Sequence, residues 1–430
     1  MIPRLVAHIG RLSVVVTMFF SFSVASAYAG AEIDGLTGTD FTFTAKADCV
    51  SGADGLSLFI WGFANGDGRA QYPGPTLILE EDIPVTIHLK NEISWPEPVP
   101  VSLVFPGQMD VTATGGDPGL LTREAPPDGT TVVTYTFTPT EPGTYHYHSG
   151  TRPDLQIEMG LVGAIIVRPT GFDPGSPRAY AHADSAYDHE YLFLLTEMDY
   201  NIHRLVEFGR MDEVDTTTFF PVYWFINGRN APDTMLMAGI PWLPTQPYNC
   251  MPRMHPGEKL LMRIIGAGRD AHPFHPHGNN ARIIAKDGRL LQSTPGAGAD
   301  LAISDFTLAS VPGQTIDAIF EWTGAALGWD IYGHAPGDDP EPNEYMPDHG
   351  KAFPVVLPGQ QELTFGAAYS GSPFLGVFGD MGPGEGGLNA NAGYFYMWHS
   401  HNEKEMVNND IFPGGMMTML IIEPPGVPIP

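Results

Sequence analysis

Apolar and polar positions along the chain alternate in short runs that predict strands. In TVVTYTFTP (131–139) apolar residues and threonines take turns with a period of two, and PVTIHLKNE (84–92) does nearly the same, as half-buried strands do. The pattern also returns on itself. PTLILEEDIPVTIHLKN (75–91) is echoed by MHPGEKLLMRIIGAG (254–268), a turn feeding a strand that ends in a polar turn. DGTTVVTYTFTPTEPGTYHYHSG (128–150) is echoed by VPGQTIDAIFEWTG (311–324) and, after a long interruption, by GYFYMWHSH (393–401). An approximate repeat of this kind predicts two similar units, so the expected fold is all-β, with two Greek-key β-sandwiches. The first is expected over 28–170 and closes with the apolar strand GLVGAIIVRP. Residues 171–188 read as a linker. The second unit, 189–430, opens near HEYLFLLTEMDY and ends in MMTMLIIEPP. A Gly-, Pro- and acid-rich insertion or lid is expected over about 324–392, too long for a simple connection.

Composition supports strands and turns. With 50 Gly and 41 Pro in 430 residues and only 16% charged residues, short strands are favoured over helices. At the N-terminus Arg4 and Arg11 precede an apolar run from Ser13 to Val24 and the small residues Ala25-Ser26-Ala27. This is the form of a signal peptide over 1–27, and no later segment approaches ~20 uninterrupted apolar residues. A secreted or periplasmic soluble protein is expected. The 49 acidic against 21 basic residues repel nucleic acid and anionic membrane, and the solubility of an exported protein accounts for them. An oxidising compartment favours one disulfide between Cys49 and Cys250 over two free thiols, a choice the sequence leaves open.

The chemistry lies in the histidines. Of fifteen, seven fall in three clusters: His272, His275 and His277 in HPFHPHGN, His146 and His148 in GTYHYHSG, His399 and His401 in WHSH. Residues two apart on a strand face one side at ~6.6 Å, so each His-x-His offers two imidazoles to one space, wide enough to serve two neighbouring metal ions. Imidazole suits copper, zinc, iron and nickel. His88, His189, His203, His255, His334 and His349 stand alone in the sequence and are expected to be structural. Met416, Met417 and Met419 fit strand core better than metal ligation.

These motifs resemble those of the multicopper oxidases, and specifically their two-domain members built from cupredoxin domains. The likeness covers nearly all of the chain after residue 27 and is carried by PGPTLILEEDIPVTIHLKN, EPGTYHYHSG, FINGRNAP, HPFHPHG followed by IIAKDG, and the terminal HSH…GGMM. In that family four His-rich motifs build a blue (type 1) copper and a trinuclear type 2 and type 3 cluster. The resemblance puts His272 on a type 1 ligand, His275 on a type 2 ligand, His148, His277, His399 and His401 on type 3 ligands, and Met416 on the axial methionine. It also breaks. Val104 and Pro106 of LVFPGQ stand where the first motif has two histidines. Gly150 replaces another, with His146 two residues before His148 on the same strand face. Ser400 occupies the place of the blue-copper cysteine, and the later type 1 histidine has no counterpart before Gly415.

A hydroxyl cannot replace the thiolate that defines a blue site, and His272 with Met416 are too few to hold that copper. The resemblance leaves a six-imidazole copper set, His146, His148, His275, His277, His399 and His401. Two functions of different class fit it: a copper-dependent oxidoreductase whose substrate, not readable from the sequence, reaches the cluster directly, or a copper-binding scaffold without turnover. In two-domain members the cluster lies between subunits, so a shared site here implies a closed ring, most simply a homotrimer. The competing expectation is a monomer.

Overall fold

The computed structural model describes residues 33–325, 327–341, 343–353, 371–372, 386, 393–424 and 426–429. The expected signal segment lies outside the described residues, as does most of the expected insertion beyond Phe353. Within them the chain is strands and turns, as the patterning predicts, and the longest helix is the eight-residue Tyr200–Glu207.

Two sheets come from the first half of the chain. One runs Leu36–Thr37, Gly74–Glu80, Val162–Arg168, Gly143–His148, and the other Ser57–Asn65, Asp40–Ser51, Val85–Asn91, Val133–Phe137, Thr112–Gly115. The strands read from alternation show it in burial: Val85–Asn91 and Val133–Phe137 alternate buried and half-buried positions. Phe43, Trp61, Leu77, Ile87, Tyr135 and Ile165 fill the space between the sheets. The second half repeats the plan. A seven-stranded sheet includes Tyr223–Ile226, His189–Met198, Lys259–Gly266, Thr315–Glu321 and Ala281–Lys286, and a six-stranded sheet includes Met417–Ile422, Tyr394–Ser400, His272–Pro276 and Leu308–Ser310. Phe193, Met262, Phe274, Phe320, Tyr396 and Trp398 pack between them.

The sandwiches are joined by a third apolar layer. Every position of Val162–Arg168 is buried, because Ile165 and Val167 enter the first core while Val162, Ala164 and Ile166 meet Leu192, Leu194 and Met198 of the second unit. A strand covered on both faces has no polar alternation to show. At one end of this layer a buried ionic network crosses between the units. Glu190 Oε2 accepts from Arg168 Nη1 and from Arg263 Nε, both at 2.8 Å. Arg263 Nη1 donates to Thr144 Oγ1 at 3.0 Å, and Thr144 in turn donates to Asp317. Burial would raise the Glu190 carboxyl, but the two guanidiniums outweigh it and hold it down at about 2.

The connecting residues 171–188 are docked: Ala179, Tyr180 and Tyr187 pack with Leu261, Ile284 and Ile319, and the Tyr180 hydroxyl donates to Asp317 Oδ2 at 2.6 Å. One sequence expectation changes, the disulfide. Cys49 and Cys250 are free thiols, and the buried Cys250 sulfur lies 3.0 Å from the Ile226 carbonyl oxygen.

Removing one partner from a buried ion network leaves the others uncompensated. Glu190→Gln is therefore expected to destabilise the protein by about 3–5 kcal/mol, read as a lower urea midpoint. A midpoint within error of the parent's would show that the network does not hold the sandwiches together.

Candidate metal centre

Strand pairing builds the site. His272–Pro276 runs antiparallel to Tyr394–Ser400, with His275 directly opposite His399 and Phe274 opposite Ser400. The ladder continues past the strand ends: His401 N–H donates to the Pro273 carbonyl at 2.8 Å and His277 N–H to that of Met397 at 3.2 Å. The Trp398 indole N–H fastens the His277 carbonyl at 2.9 Å. Four imidazoles thereby converge on one face. The His275 ring centroid lies 4.8 Å from that of His277, 5.6 Å from His399 and 4.9 Å from His401. His277 and His399 bring their Nε2 atoms to 3.1 Å.

The rings are oriented by backbone carbonyls. His275 Nδ1 lies 2.6 Å from the Phe306 carbonyl oxygen, and His399 Nδ1 2.6 Å from that of Ser400. A neutral imidazole meets a carbonyl with its N–H, so both rings carry the proton on Nδ1 and turn the Nε2 lone pair to the cluster. Protonation is disfavoured there. Burial, then the charges His399 and His401 would carry, push His275 down to about 4 against the pull of the Phe306 carbonyl. Burial also lowers His399.

His146 and His148 form a separate pair. Their rings stack at 5.4 Å on Gly143–His148, and His148 Nδ1 again meets a carbonyl, that of Ser149, at 2.9 Å. Burial and the neighbouring His148 push His146 down to about 3. Among the described residues no ring contact joins this pair to the other four. Around it the departures from the family motif fit one another. Val104 is paired through its backbone with His148, and a Cβ at Gly150 would lie 2.7 Å from Val104 Cγ1. The valine side chain thus takes the space that a side chain at 150 would need.

His272 and Met416 lie in a different setting. The buried His272 ring is held at both ends by carboxylates, Nδ1 at 2.9 Å from Glu405 Oε2 and Nε2 at 2.8 Å from Glu197 Oε2. Burial alone would lower its proton affinity, but the two carboxylates prevail and raise it to about 9. Ser400 Oγ donates to the same Glu405 oxygen at 2.5 Å. Met416 is buried beside this group, its N–H on the Glu405 carbonyl at 2.8 Å. Gly415 permits that approach, since at φ +62° a Cβ would sit 2.0 Å from the Glu405 oxygen. In the place the resemblance gives to a blue copper stands an imidazolium between two carboxylates, with both ring nitrogens engaged.

Glu197 and Glu405 were not visible in the sequence, because nothing local ties either to His272. Four of the histidines that stand alone in the sequence pair off around shared carboxylates. His189 and His255 share Glu258, at 2.8 and 3.2 Å, and His334 and His349 share Glu344 and Asp330. For the second group a signal existed, Asp-x3-His at 330/334 and Glu-x4-His at 344/349. The His203 ring is held at both nitrogens, with Nδ1 2.5 Å from the Phe59 carbonyl and Nε2 3.1 Å from that of Glu158.

Residues 66–171 match a family model described as multicopper oxidase. Copper resistance protein A of Escherichia coli is 31% identical over 340 residues, 71% of this chain and 50% of that protein. Laccase 1 of Metarhizium robertsii is 32% identical over 145 residues, 30% of this chain and 23% of that one. The chain thus spans half the length of the first relative and under a quarter of the second. Among solved structures, the blue copper oxidase from Nitrosomonas europaea superposes with a TM-score of 0.54 at 18% identity, covering 90% of this chain and 86% of that one. The multicopper oxidase mgLAC gives 0.54 at 18%, covering 92% and 88%. At that identity the likeness is one of fold, the cupredoxin double sandwich.

Opposite proton affinities predict a dome of stability against pH for the metal-free protein. His146 and His275 bind protons more weakly folded than unfolded, so their contribution is full above about pH 6.5 and falls as pH drops towards 4. His272 binds its proton more tightly folded, so its contribution is full below about pH 6.5 and is lost as pH rises through 9. Thermal unfolding from pH 4 to 10 should show both arms, and His272→Gln should flatten only the alkaline one. An unchanged alkaline arm in that variant would contradict the assignment.

Proposed function

The chain belongs to the multicopper oxidase family, and on that premise we propose that it is an exported copper-binding member that holds copper on paired imidazoles and has no blue copper. One observation carries the reading: His148, His275 and His399 each place Nδ1 on a backbone carbonyl, the arrangement that fixes a metal-binding histidine's tautomer. Copper takes deprotonated imidazole, and the lowered proton affinities of His146, His148, His275 and His399 keep them so at neutral pH. At the type 1 position Ser400 and His272 are both committed to Glu405, so no thiolate and no open imidazole is offered there. Export is supported by the N-terminal run, and the net charge of −28 argues against nucleic acid as a partner. Among the described residues no helix is long and apolar enough to cross a membrane.

A second reading, turnover of a small oxidisable molecule at the cluster, is favoured by His401, whose side chain is 53% exposed. Copper there would supply one-electron chemistry. The chain's part is to hold the tautomers, keep the rings unprotonated and leave one edge open to solvent.

The two histidine groups are taken to meet across subunits in a homotrimer. Apolar side chains stand exposed beside both: Leu121 lies 3.6 Å from where a Gly150 Cβ would be, and the exposed Phe306 ring touches that of His275 at 5.7 Å. Surfaces of this kind fit a head-to-tail contact that closes into a ring.

Copper content tests the site. His277→Ala and His399→Ala should each remove most of the bound copper, while His88→Ala, whose ring bonds Thr134 on the first sandwich, should keep it. Equal small losses in all three variants would mean scattered adventitious binding. The oxidised, copper-loaded protein should also lack the intense visible absorption of a thiolate-to-copper bond. For the assembly, light scattering of the loaded protein should give three times the chain mass. A species of monomer mass that still holds its copper would exclude the ring.

A further inference from the structure

Outside the imidazole cluster, the segment that follows Gly324 contains a second convergence of donors. From Gly324 to Phe353 the described backbone has one short 3-10 turn, Met346–Asp348, and is anchored to the core by Leu327, Trp329 and Phe353. Within it, one atom each of Asp330, His334, Glu344 and His349 lie within 4.8 Å of one another. Asp330 Oδ2 is 3.3 Å from His334 Nδ1 and 3.8 Å from His349 Nδ1. Glu344 oxygens lie 3.3 Å from His334 Nδ1 and 2.6 Å from His349 Nδ1. Donors bound tetrahedrally at 2.0–2.1 Å from a zinc ion stand ~3.3 Å apart, which is the middle of this range.

The donors are held from behind. Asp330 Oδ1 accepts from Tyr332 N–H at 2.8 Å and its Oδ2 from Gly350 N–H at 2.7 Å. Glu344 Oε2 accepts from Glu341 N–H at 2.9 Å. His349 Nε2 meets the Asp338 carbonyl oxygen at 3.0 Å, and the His334 ring stacks on Tyr332 at 5.6 Å. The contrast with His272 is informative. At His272 both ring nitrogens face carboxylates, whereas His349 has its outer nitrogen on a backbone carbonyl, the arrangement that orients a metal-binding ring, and its inner one among the carboxylates a cation would share. Two carboxylates and two neutral imidazoles also balance a divalent charge.

We infer that Asp330, His334, Glu344 and His349 form a structural zinc site that staples this irregular segment. The site is independent of copper binding at the other histidines. A metal cross-link supplies the order that so long a stretch without strands otherwise lacks.

The test uses the full chain carrying His277→Ala and His399→Ala, so that the imidazole cluster does not compete for zinc. After chelator treatment, zinc loading and desalting, metal analysis should find about one zinc per chain. Adding His349→Ala, or separately Glu344→Gln, should lower zinc affinity at least ~tenfold. Zinc should also slow tryptic cleavage after Lys351 in the background protein and not in these variants. Equal zinc content or equal protection in background and variants overturns the site. If both variants lose their cooperative unfolding transition, X-ray absorption at the zinc edge of the background protein decides. Two imidazole nitrogens with two carboxylate oxygens are expected there, and a shell of water or of more imidazoles overturns the proposal.

Discussion

The antiparallel pairing of His272–Pro276 with Tyr394–Ser400 governs both centres. Side chains alternate across a strand, so His272 and Phe274 lie on one face and His275 on the other. On the partner strand Trp398 and Ser400 share a face, with His399 opposite. Phe274 and Trp398 point into the second core. That face therefore carries the His272–Ser400–Glu405 group, and the other carries the four imidazoles. A slip of one residue would exchange the faces and bury the wrong set. The register is fixed by the aromatic side chains, and the placement of the histidines follows from it.

The two faces treat the same side chain in opposite ways. His272 gains two carboxylates and holds its proton to about 9, while His275, lowered by burial and by the charges His399 and His401 would carry, gives its proton up near 4. A fully buried charge is tolerated only when paired, and Glu197 and Glu405 meet that demand for His272. The same pairing engages both ring nitrogens of His272. Ser400, which stands where the family motif has its cysteine, belongs to a network in which serine, histidine and two glutamates satisfy one another.

Much of this was legible because period two is short-ranged. The His-x-His pairs and the alternating strands need only neighbours in sequence, and Ser400 was conspicuous against the family motif. What was hidden depends on distant contacts: Glu197 and Glu405 lie 75 and 133 positions from His272. Tyr180 looked like linker because Pro and Gly surround it, yet its ring and hydroxyl dock on the second sandwich. His334 and His349 looked isolated because their carboxylate partners lie four or more positions away in a segment with no strand period to align them.

The first unit's departures are coupled as well. Val104 fills the space beside Gly150, and Gly150 has no Cβ to contest it, so a side chain at 150 would require Val104 to move. What remains is a stacked pair, of which His146 is buried with its proton affinity driven down. Burying a polar ring that is held neutral costs stability unless something takes up its lone pair. The carbonyl of Ser149 satisfies one nitrogen of His148, and the two rings stack on one strand face. On the proposed copper reading the pair is half of a ligand set, which a second surface bearing imidazoles would complete. That requirement makes the geometry of the first unit an argument about assembly as much as about copper.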